Sequence, residues 1–363
     1  MSMTETPLET KLKRLISNNG PITLAQYMGE CLSHPKHGYY MNKDPFGEGG
    51  DFTTAPEISQ MFGEMIGMWI ANTWQAMSSP SPIKLIELGP GRGTLMADIL
   101  RVLNIVPELK SNLSVHMVEM SPTLIETQKK SLASEAQTKI TWHKNLSEIA
   151  DGCSFIIANE FFDALPIHQF EKQDDRWCER RVHTADNELK MVLTAAGPKF
   201  ALTNPALHDG PDGSILEVCP AGLSVAGSIA ERLFAGGGAA IIIDYGYRKS
   251  VAGDSFQALK NHKFCDPLAE PGEADLTAHV AFDQIATAAK SKGASSFGVS
   301  AQGPFLMALG IGERAQQLAA STDQQGQERV LSELTRLTSG EEMGTLFKVL
   351  ALQDPNLPAP PGF

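Results

Sequence analysis

One glycine-rich segment, placed between a predicted strand and a predicted helix, constrains the fold of this chain more than any other feature. The segment reads Glu87-Leu88-Gly89-Pro90-Gly91-Arg92-Gly93. The apolar run 83–86 precedes it, and apolar residues recur with helical spacing over 95–103 after it. A glycine loop at the carboxyl end of a strand lets the backbone approach a ligand closely. The segment therefore predicts a ligand-binding loop in an α/β sheet.

Other short apolar runs predict further strands of the same sheet. These runs are 115–118, 155–158, 239–243 and 296–301. Strands that alternate with helical segments are typical of a doubly wound sheet. Residues 168–215 interrupt this alternation with polar, turn-rich sequence, which indicates an inserted antiparallel segment. We therefore expect an α/β fold with a doubly wound, Rossmann-like sheet and a β-rich insertion.

A helical region is expected before the sheet. Leu8, Leu12 and Leu15 mark one face of a first helix, and Pro56 opens a longer amphipathic helix. A second short helix is expected over 22–32, and the Pro-, Gly- and Tyr-rich residues 34–51 predict an ordered loop. The expected organisation is a helical region with a lid loop over 1–80, then a sheet domain over 81–363 with the insertion at about 168–215.

The glycine spacing favours a cofactor without a diphosphate. Dinucleotide sites usually read GxGxxG, whereas here the glycines are evenly spaced and Glu87 precedes them. A carboxylate would repel a diphosphate but suits the ammonium group of S-adenosylmethionine. Glu119, at the end of the next predicted strand, is expected to accept hydrogen bonds from ribose hydroxyls. The alternative interpretation is a solvated strand-end acid at Glu87, an acid in the N-cap region of a helix at Glu119, and an ordinary turn at the glycines.

Composition and charge exclude several classes of protein. The net charge of −12 opposes binding to a phosphate backbone, so no nucleic acid partner is expected. No apolar stretch approaches the roughly 20 residues of a membrane-spanning helix, and residues 1–20 lack the apolar core of a signal peptide. The five cysteines have no CxxC spacing, so neither a zinc site nor a disulfide framework is expected. We expect a cytoplasmic protein without membrane insertion; the sequence indicates no oligomeric state.

Several motifs together resemble a known family. They are Gly50-Asp51-Phe52-Thr53-Thr54-Ala55-Pro56-Glu57-Ile58-Ser59, Asn159-Glu160-Phe161-Phe162-Asp163-Ala164-Leu165-Pro166, Ile243-Asp244-Tyr245-Gly246, Pro271-Gly272-Glu273-Ala274-Asp275-Leu276-Thr277-Ala278-His279 and Gln302-Gly303-Pro304-Phe305-Leu306. With the glycine loop, from about His34 to Phe347, the chain resembles the MidA family. Its members are bacterial relatives of a mitochondrial arginine methyltransferase that acts in complex I assembly.

The resemblance implies a class I methyltransferase core that binds S-adenosylmethionine at 87–93. It also suggests that the relative's reaction, dimethylation of an arginine on a complex I subunit, extends to this chain. The expected partner is therefore a protein substrate, possibly a complex I subunit. One departure is Ala281, which stands before Phe282 where the family pattern has an acid; whether Asp283 compensates is open.

Arginine methylation requires carboxylates that localise the guanidinium charge on two nitrogens and leave the third able to react. Glu160 is the first candidate, because it follows a predicted strand and resembles the first acid of the paired-glutamate loop of arginine methyltransferases. Asp163 is the second candidate. His279 would orient a carboxylate or take a proton. The alternative interpretation is that Glu160 and Asp163 are acids stabilised at a helix N-terminus and that His279 has a structural role.

The remaining candidates concern the cofactor. Asn159 either binds the cofactor or caps a helix, and Tyr39, Tyr40 and Phe52 either close over it with two threonines or anchor a long loop. The expected cofactor contacts are Glu87, Gly89, Pro90, Gly91, Gly93, Glu119, Met120, Asn159, Thr53 and Thr54. Two other functions stay open: a nucleotide-dependent oxidoreductase, and an assembly chaperone that binds S-adenosylmethionine without catalysis.

Overall fold

The apolar runs of the sequence form a mixed sheet in the computed structural model, which describes residues 5–42 and 53–363. The chain divides into two units, and the unit that contains the sheet comprises 53–162, 225–248 and 282–363. Its strands, in spatial order, are Ser295–Ala301, Phe347–Gln353, Gly238–Tyr247, Ser154–Asn159, Ile83–Leu88, Leu113–Val118 and Lys139–His143. We call this the α/β unit.

Strand direction defines one ligand-facing edge of this sheet. The five strands from Gly238–Tyr247 to Lys139–His143 pair in parallel, whereas Phe347–Gln353 runs antiparallel to both of its neighbours. Parallel strands end at the same edge, where ligands of doubly wound sheets bind. The expected α/β fold class, with a Rossmann-like sheet, is confirmed.

Helices of the α/β unit cover the sheet. They are Ala55–Ile58, Gln60–Ala76, Thr94–Leu103, Pro107–Ser111, Pro122–Ser131, Phe282–Lys290, Gln302–Ala308, Ile311–Ala320, Gln324–Thr338 and Met343–Leu346, together with the part of Pro220–Gly236 from residue 225 onward. The apolar faces of these helices and of the strands form one core that includes the fully buried Phe62, Trp69 and Ile157. The helix predicted to open at Pro56 is two helices, because the backbone at Ser59 is extended.

The other unit comprises the described residues of 1–52, with 163–224 and 249–281. We call it the β-rich unit. Its strands are Ile22–Thr23, His168–Gln173, Arg176–Ala185, Glu188–Ala195, Ile215–Val218, Gln257–Lys260, Lys263–Cys265, Asp275–Thr277 and Val280–Ala281, and its helices are Pro7–Asn19, Leu24–Ser33 and Tyr39–Asn42. The predicted antiparallel segment is present: Arg176–Ala185 pairs antiparallel with the strands before and after it.

The division of the chain differs from the boundary expected at residue 80. The helix Gln60–Ala76 belongs to the α/β unit, because its buried face contributes Phe62, Met65 and Trp69 to the core of the sheet. Residues 5–42 share a separate core with the inserted segment, where Leu12 and Tyr27 are buried beside Val182. Within the described ranges, no helix is both long enough and apolar enough to cross a membrane.

A buried position and an exposed one test how the α/β core stabilises the protein. Ile157 is fully buried on a central strand, so Ile157→Ala should lower the free energy of unfolding by about 2–5 kcal/mol. Ile105, which is 77% exposed, provides the matched control, and Ile105→Ala should change it by less than about 0.5 kcal/mol. Urea unfolding followed by circular dichroism measures both; equal effects would contradict the assigned core.

Candidate functional site

Three neighbouring parallel strands bring the predicted cofactor residues of the α/β unit to one edge. In the register of the sheet, Leu88 lies beside Val118 on one side and beside Ala158 on the other. Glu87 is at the end of the central strand, Glu119 directly follows the second, and Asn159 ends the third. The structure therefore brings together the residues that the sequence placed at this edge.

The glycine loop takes a backbone conformation that suits glycine. Gly89, Gly91 and Gly93 have φ angles of 62°, 51° and 81°, in the left-handed region that other residues seldom adopt. A Cβ atom at Gly89 would lie 2.9 Å from Cδ2 of Phe161, which is closer than atoms approach without a shift. Within the loop the Gly93 N–H donates to the carbonyl of Pro90 at 2.7 Å. Backbone conformation explains all three glycines, and at Gly89 the lack of space is a second reason.

Glu87 is a buried carboxyl group in an unfavourable environment. Its side chain is 3% exposed, and its Oε2 atom has no hydrogen-bond partner among the described residues. Burial, and secondarily the charge of Glu119, raises the pKa of Glu87 to about 8. A cationic group bound at this edge would compensate the buried charge. The orphaned oxygen therefore fits the ammonium group of the expected cofactor.

Glu119 is fixed at the end of its strand by three hydrogen bonds. Its Oε1 accepts from the backbone N–H groups of Met120 and Ser121 at 2.7 and 2.8 Å, and its Oε2 accepts from Gln128 Nε2 at 3.2 Å. Burial raises the pKa of Glu119, and the three hydrogen bonds oppose that rise. The Met120 side chain is 57% exposed. Contact of these residues with ribose and base stays a prediction.

Asn159 and Glu160 form a hydrogen-bonded pair. Glu160 Oε1 accepts from Asn159 Nδ2 at 3.2 Å and from the backbone N–H of Ala55 at 3.0 Å. This contact directs the Asn159 amide, whose buried Oδ1 has no hydrogen-bond partner in the described part of the chain. Asn159 therefore presents a second acceptor to a donor at the same edge as Glu87. Glu160 itself has a φ angle of 49°, a strained conformation that is concentrated at functional sites.

The short helix Ala55–Ile58 is tied to two parts of the edge. Besides the contact between Ala55 and Glu160, Glu57 Oε1 accepts from Thr94 Oγ1 at 2.5 Å, at the start of the helix that follows the glycine loop. Thr54, which is buried, precedes the helix, and Thr53 is half-buried. Phe52, another predicted lid residue, lies outside the described residues. A role for the threonines in cofactor binding stays a prediction.

Asp163 and His279 belong to the β-rich unit, whereas Glu160 belongs to the α/β unit. Within the β-rich unit, the Asp163 carbonyl accepts from the N–H of Ala278 at 3.0 Å, next to His279 in the chain. The Tyr40 hydroxyl donates to Asp275 Oδ1 at 2.7 Å. Burial, then the charges of Asp275 and Asp163, holds the pKa of Tyr40 well above its ordinary value. The joint action of Glu160 with Asp163 and His279 stays a prediction.

Asp244 has a structural role that sequence reasoning missed. Its buried Oδ2 accepts from the backbone N–H groups of Phe161 and Phe162 at 3.2 and 2.9 Å, and its Oδ1 accepts from the N–H of Tyr245 at 2.9 Å. Asp244 thereby holds the loop that follows Glu160. An acid inside an otherwise apolar strand was the available signal for such a role.

Comparison with known proteins agrees with this geometry. A family model described as S-adenosyl-L-methionine-dependent methyltransferase matches residues 65–300. Protein arginine methyltransferase NDUFAF7 homolog, mitochondrial, of Drosophila melanogaster is 40% identical, over 95% of this chain and 84% of its own. The corresponding Homo sapiens protein is 37% identical, over 96% of this chain and 83% of its own.

A solved structure extends the comparison to three dimensions. It is a COG1565 superfamily member from Burkholderia thailandensis, bound to S-adenosyl-homocysteine. The two chains superpose with a TM-score of 0.86 at 27% identity, over 98% of this chain and 93% of the other.

The expectation of a cytoplasmic location is wrong by the same comparison. The curated relatives from Drosophila melanogaster, Xenopus tropicalis and Homo sapiens carry names that place those proteins in mitochondria. The expectation rested on the absence of an apolar segment in residues 1–20, and that pattern bears on signal peptides rather than on other kinds of targeting.

The backbone of the glycine loop is the first feature to test. Gly91→Val should reduce the affinity for S-adenosylmethionine below detection in calorimetry, because a branched side chain occupies space where the loop approaches the ligand. Gly237→Val is the matched control: Gly237 also has a positive φ, 76°, but lies at the opposite edge of the sheet. Normal affinity in the Gly91 variant would remove this loop from the site.

The buried Glu87 carboxyl should also make stability depend on pH. Its folded-state pKa, about 8, lies above its unfolded value, so the stability it contributes is complete below about pH 4.5 and is lost as the pH rises through 8. Glu87→Gln should therefore reduce the loss of unfolding free energy between pH 6 and pH 9. Urea titrations of the ligand-free protein measure this, with the exposed Glu341→Gln as control. An unchanged pH dependence in Glu87→Gln would contradict the assignment.

Proposed function

This chain belongs to a family of S-adenosyl-L-methionine-dependent methyltransferases, and we propose that its acceptor is an arginine side chain of a protein. The expected enzyme class and the expected cofactor are confirmed. The oxidoreductase alternative is therefore dropped. The observation that carries the proposal is the identity of 37–40%, over nearly the whole chain, with proteins named as arginine methyltransferases.

The cofactor side of the proposed site uses the acceptors of the α/β unit. Glu87 and Asn159 would bind the ammonium group, because each presents a buried oxygen without a protein partner in the described chain. Glu119 would accept hydrogen bonds from the ribose, and the glycine loop would lie against the ligand. When bound, S-adenosylmethionine supplies an electrophilic methyl group on a sulfonium.

The acceptor side requires control of a guanidinium charge. A guanidinium remains protonated at neutral pH, so its nitrogen reacts only when the charge is localised elsewhere on the group. Glu160 would do this with its carboxylate, held by Ala55 and Asn159. Asp163 would act as the second acid, and His279 would orient a carboxylate or accept the proton that the nitrogen loses. Exclusion of water would favour the nitrogen as nucleophile.

A finer proposal concerns the protein that is methylated. The resemblance to a complex I assembly factor supports a subunit or assembly intermediate of NADH dehydrogenase as the acceptor. Incubation of the protein with methyl-labelled S-adenosylmethionine and an extract of its source cells, followed by mass spectrometry, tests this. Label on an arginine of a complex I subunit supports the proposal. Label confined to another residue type would exclude arginine methylation, and absence of transfer with bound cofactor would favour the chaperone alternative.

Glu160→Gln separates cofactor binding from chemistry. The amide keeps the size of the side chain and an oxygen able to accept from Ala55 and Asn159, so cofactor affinity should stay close to the parent value. Loss of the charge should lower the methylation rate of the mapped acceptor at least about a hundredfold.

The control for this variant is thermal stability. A purely structural acid would give a lower melting temperature and a rate that falls only with the folded fraction. Methylation at the parent rate would mean that Glu160 does not localise the guanidinium charge, and Asp163→Asn and His279→Gln would then be measured in the same assay.

A further inference from the structure

Gln128 joins three parts of the α/β unit through one buried side chain. It lies on the helix Pro122–Ser131 and is 0% exposed. Its Nε2 donates to the carbonyl of Gly91 at 2.8 Å and to Glu119 Oε2 at 3.2 Å, while its Oε1 accepts from Trp142 Nε1 at 2.8 Å. A glutamine amide has two N–H donors, and both are used here, one on the glycine loop and one on Glu119.

The contact with Gly91 fixes the glycine loop from outside. The loop has left-handed backbone at three positions, so its own conformational preferences do not define it uniquely. Gln128 also borders Gly93: a Cβ added at Gly93 would come within 3.4 Å of Cγ of Gln128 and 3.5 Å of its Cα. The loop is therefore held by a hydrogen bond at Gly91, and the same residue limits the space beside Gly93.

The hydrogen bond from Gln128 to Glu119 affects both the position and the charge of the Glu119 carboxylate. The N–H of Gln128 favours the ionised carboxylate, and it is one of the hydrogen bonds that oppose the rise in the pKa of Glu119 caused by burial. A carboxylate accepts hydrogen bonds from ribose hydroxyls only through its oxygen lone pairs, which protonation reduces. Gln128 therefore acts on the position and the ionisation of the same acid.

We propose that Gln128 is a positioning residue that sets the distance between the glycine loop and Glu119 and thereby determines affinity for the nucleoside half of the cofactor. The inference rests on the proposed assignment of Gly91 and Glu119 to cofactor binding. The side chain acts on the reaction only through the loop carbonyl and the carboxylate, which are its hydrogen-bond acceptors. Substitution of Gln128 should therefore weaken the binding of every ligand that contains the nucleoside.

The test measures the binding of three ligands by calorimetry. S-adenosylmethionine and S-adenosylhomocysteine contain both halves of the cofactor, and 5′-deoxy-5′-methylthioadenosine lacks the amino-acid half. Gln128→Leu should weaken all three alike by about tenfold or more, since two hydrogen bonds that fix the nucleoside site are lost. Weakening confined to the two amino-acid-containing ligands would overturn the proposal.

Trp142→Phe is the matched control, because it removes the third hydrogen bond of Gln128 without removing either donor bond. It should weaken binding by no more than about threefold, because the hydrogen bond it removes touches neither the glycine loop nor Glu119. If Trp142→Phe and Gln128→Leu weaken binding equally, the effect comes from general packing and the proposal fails. Thermal unfolding shows whether both variants are folded. If Gln128→Leu does not fold, Gln128→Met replaces it as the apolar variant.

The pH dependence of nucleoside affinity is a measurement that a change in packing alone would not alter. Loss of the Gln128 N–H should raise the pKa of Glu119, so the fall in nucleoside affinity on acidification should begin at a higher pH in Gln128→Leu than in the parent. Trp142→Phe should keep the parent profile. An unshifted profile in Gln128→Leu would overturn the proposed action through Glu119.

Glu119→Gln distinguishes the failure of this inference from the failure of the cofactor assignment. If Glu119→Gln weakens binding of 5′-deoxy-5′-methylthioadenosine and Gln128→Leu does not, the positioning role is wrong and the assignment of Glu119 stands. If neither variant weakens it, Glu119 is not at the nucleoside and the inference falls with that assignment. Weakening by both, with less than additive effect in the double variant, supports the proposal.

Discussion

The burial of the Glu87 carboxyl group is the constraint on which the rest of the site depends. A carboxyl group at the end of a central strand, with one oxygen lacking a protein partner in the described chain, is unfavourable to ionise until a cation compensates the charge. A chain that only had to be stable would place an apolar residue or a paired acid there. The glycine loop beside Glu87 adds left-handed backbone that other residues would strain. The buried carboxyl group costs stability in the ligand-free protein and becomes favourable beside a cationic group, while the glycines let the loop backbone approach the ligand without strain.

Buried polar side chains from other elements hold this edge in place. Asp244 binds the backbone after Glu160 from the neighbouring strand, and Gln128 binds the Gly91 carbonyl from a helix. Neither contact belongs to the backbone hydrogen bonds of a helix or a sheet, so the conformation of the two loops depends on these side chains. Side chains that orient binding groups in this way reduce the ordering that a ligand must impose, which improves affinity without any new contact to the ligand. Pre-organisation of the edge is thus distributed over residues remote in sequence.

The parts of the fold that local sequence specifies could be predicted, and those that depend on distant partners could not. The strands 83–88, 154–159 and 238–247 are apolar runs, and the glycine loop follows directly from its own residues. The division into units depends instead on which core each helix joins, and the apolar face of Gln60–Ala76 does not by itself name its partner. The roles of Gln128 and Asp244 rest on partners 37 and 83 residues away, which spacing alone does not reveal.

Glu160 shows why the chemistry of an acid cannot be assigned from its position alone. Its carboxylate accepts from Ala55 and Asn159, so it already fixes the entry of a short helix and the direction of an amide. Glu160 is not the residue that precedes this helix in the chain, and its own φ of 49° lies in the left-handed region that is concentrated at functional sites. The strain is maintained by the Asp244 contacts on the next two residues. The surroundings therefore hold Glu160 between contacts with two other segments, and the proposed role of its carboxylate in the reaction is a separate question that the Glu160→Gln variant addresses.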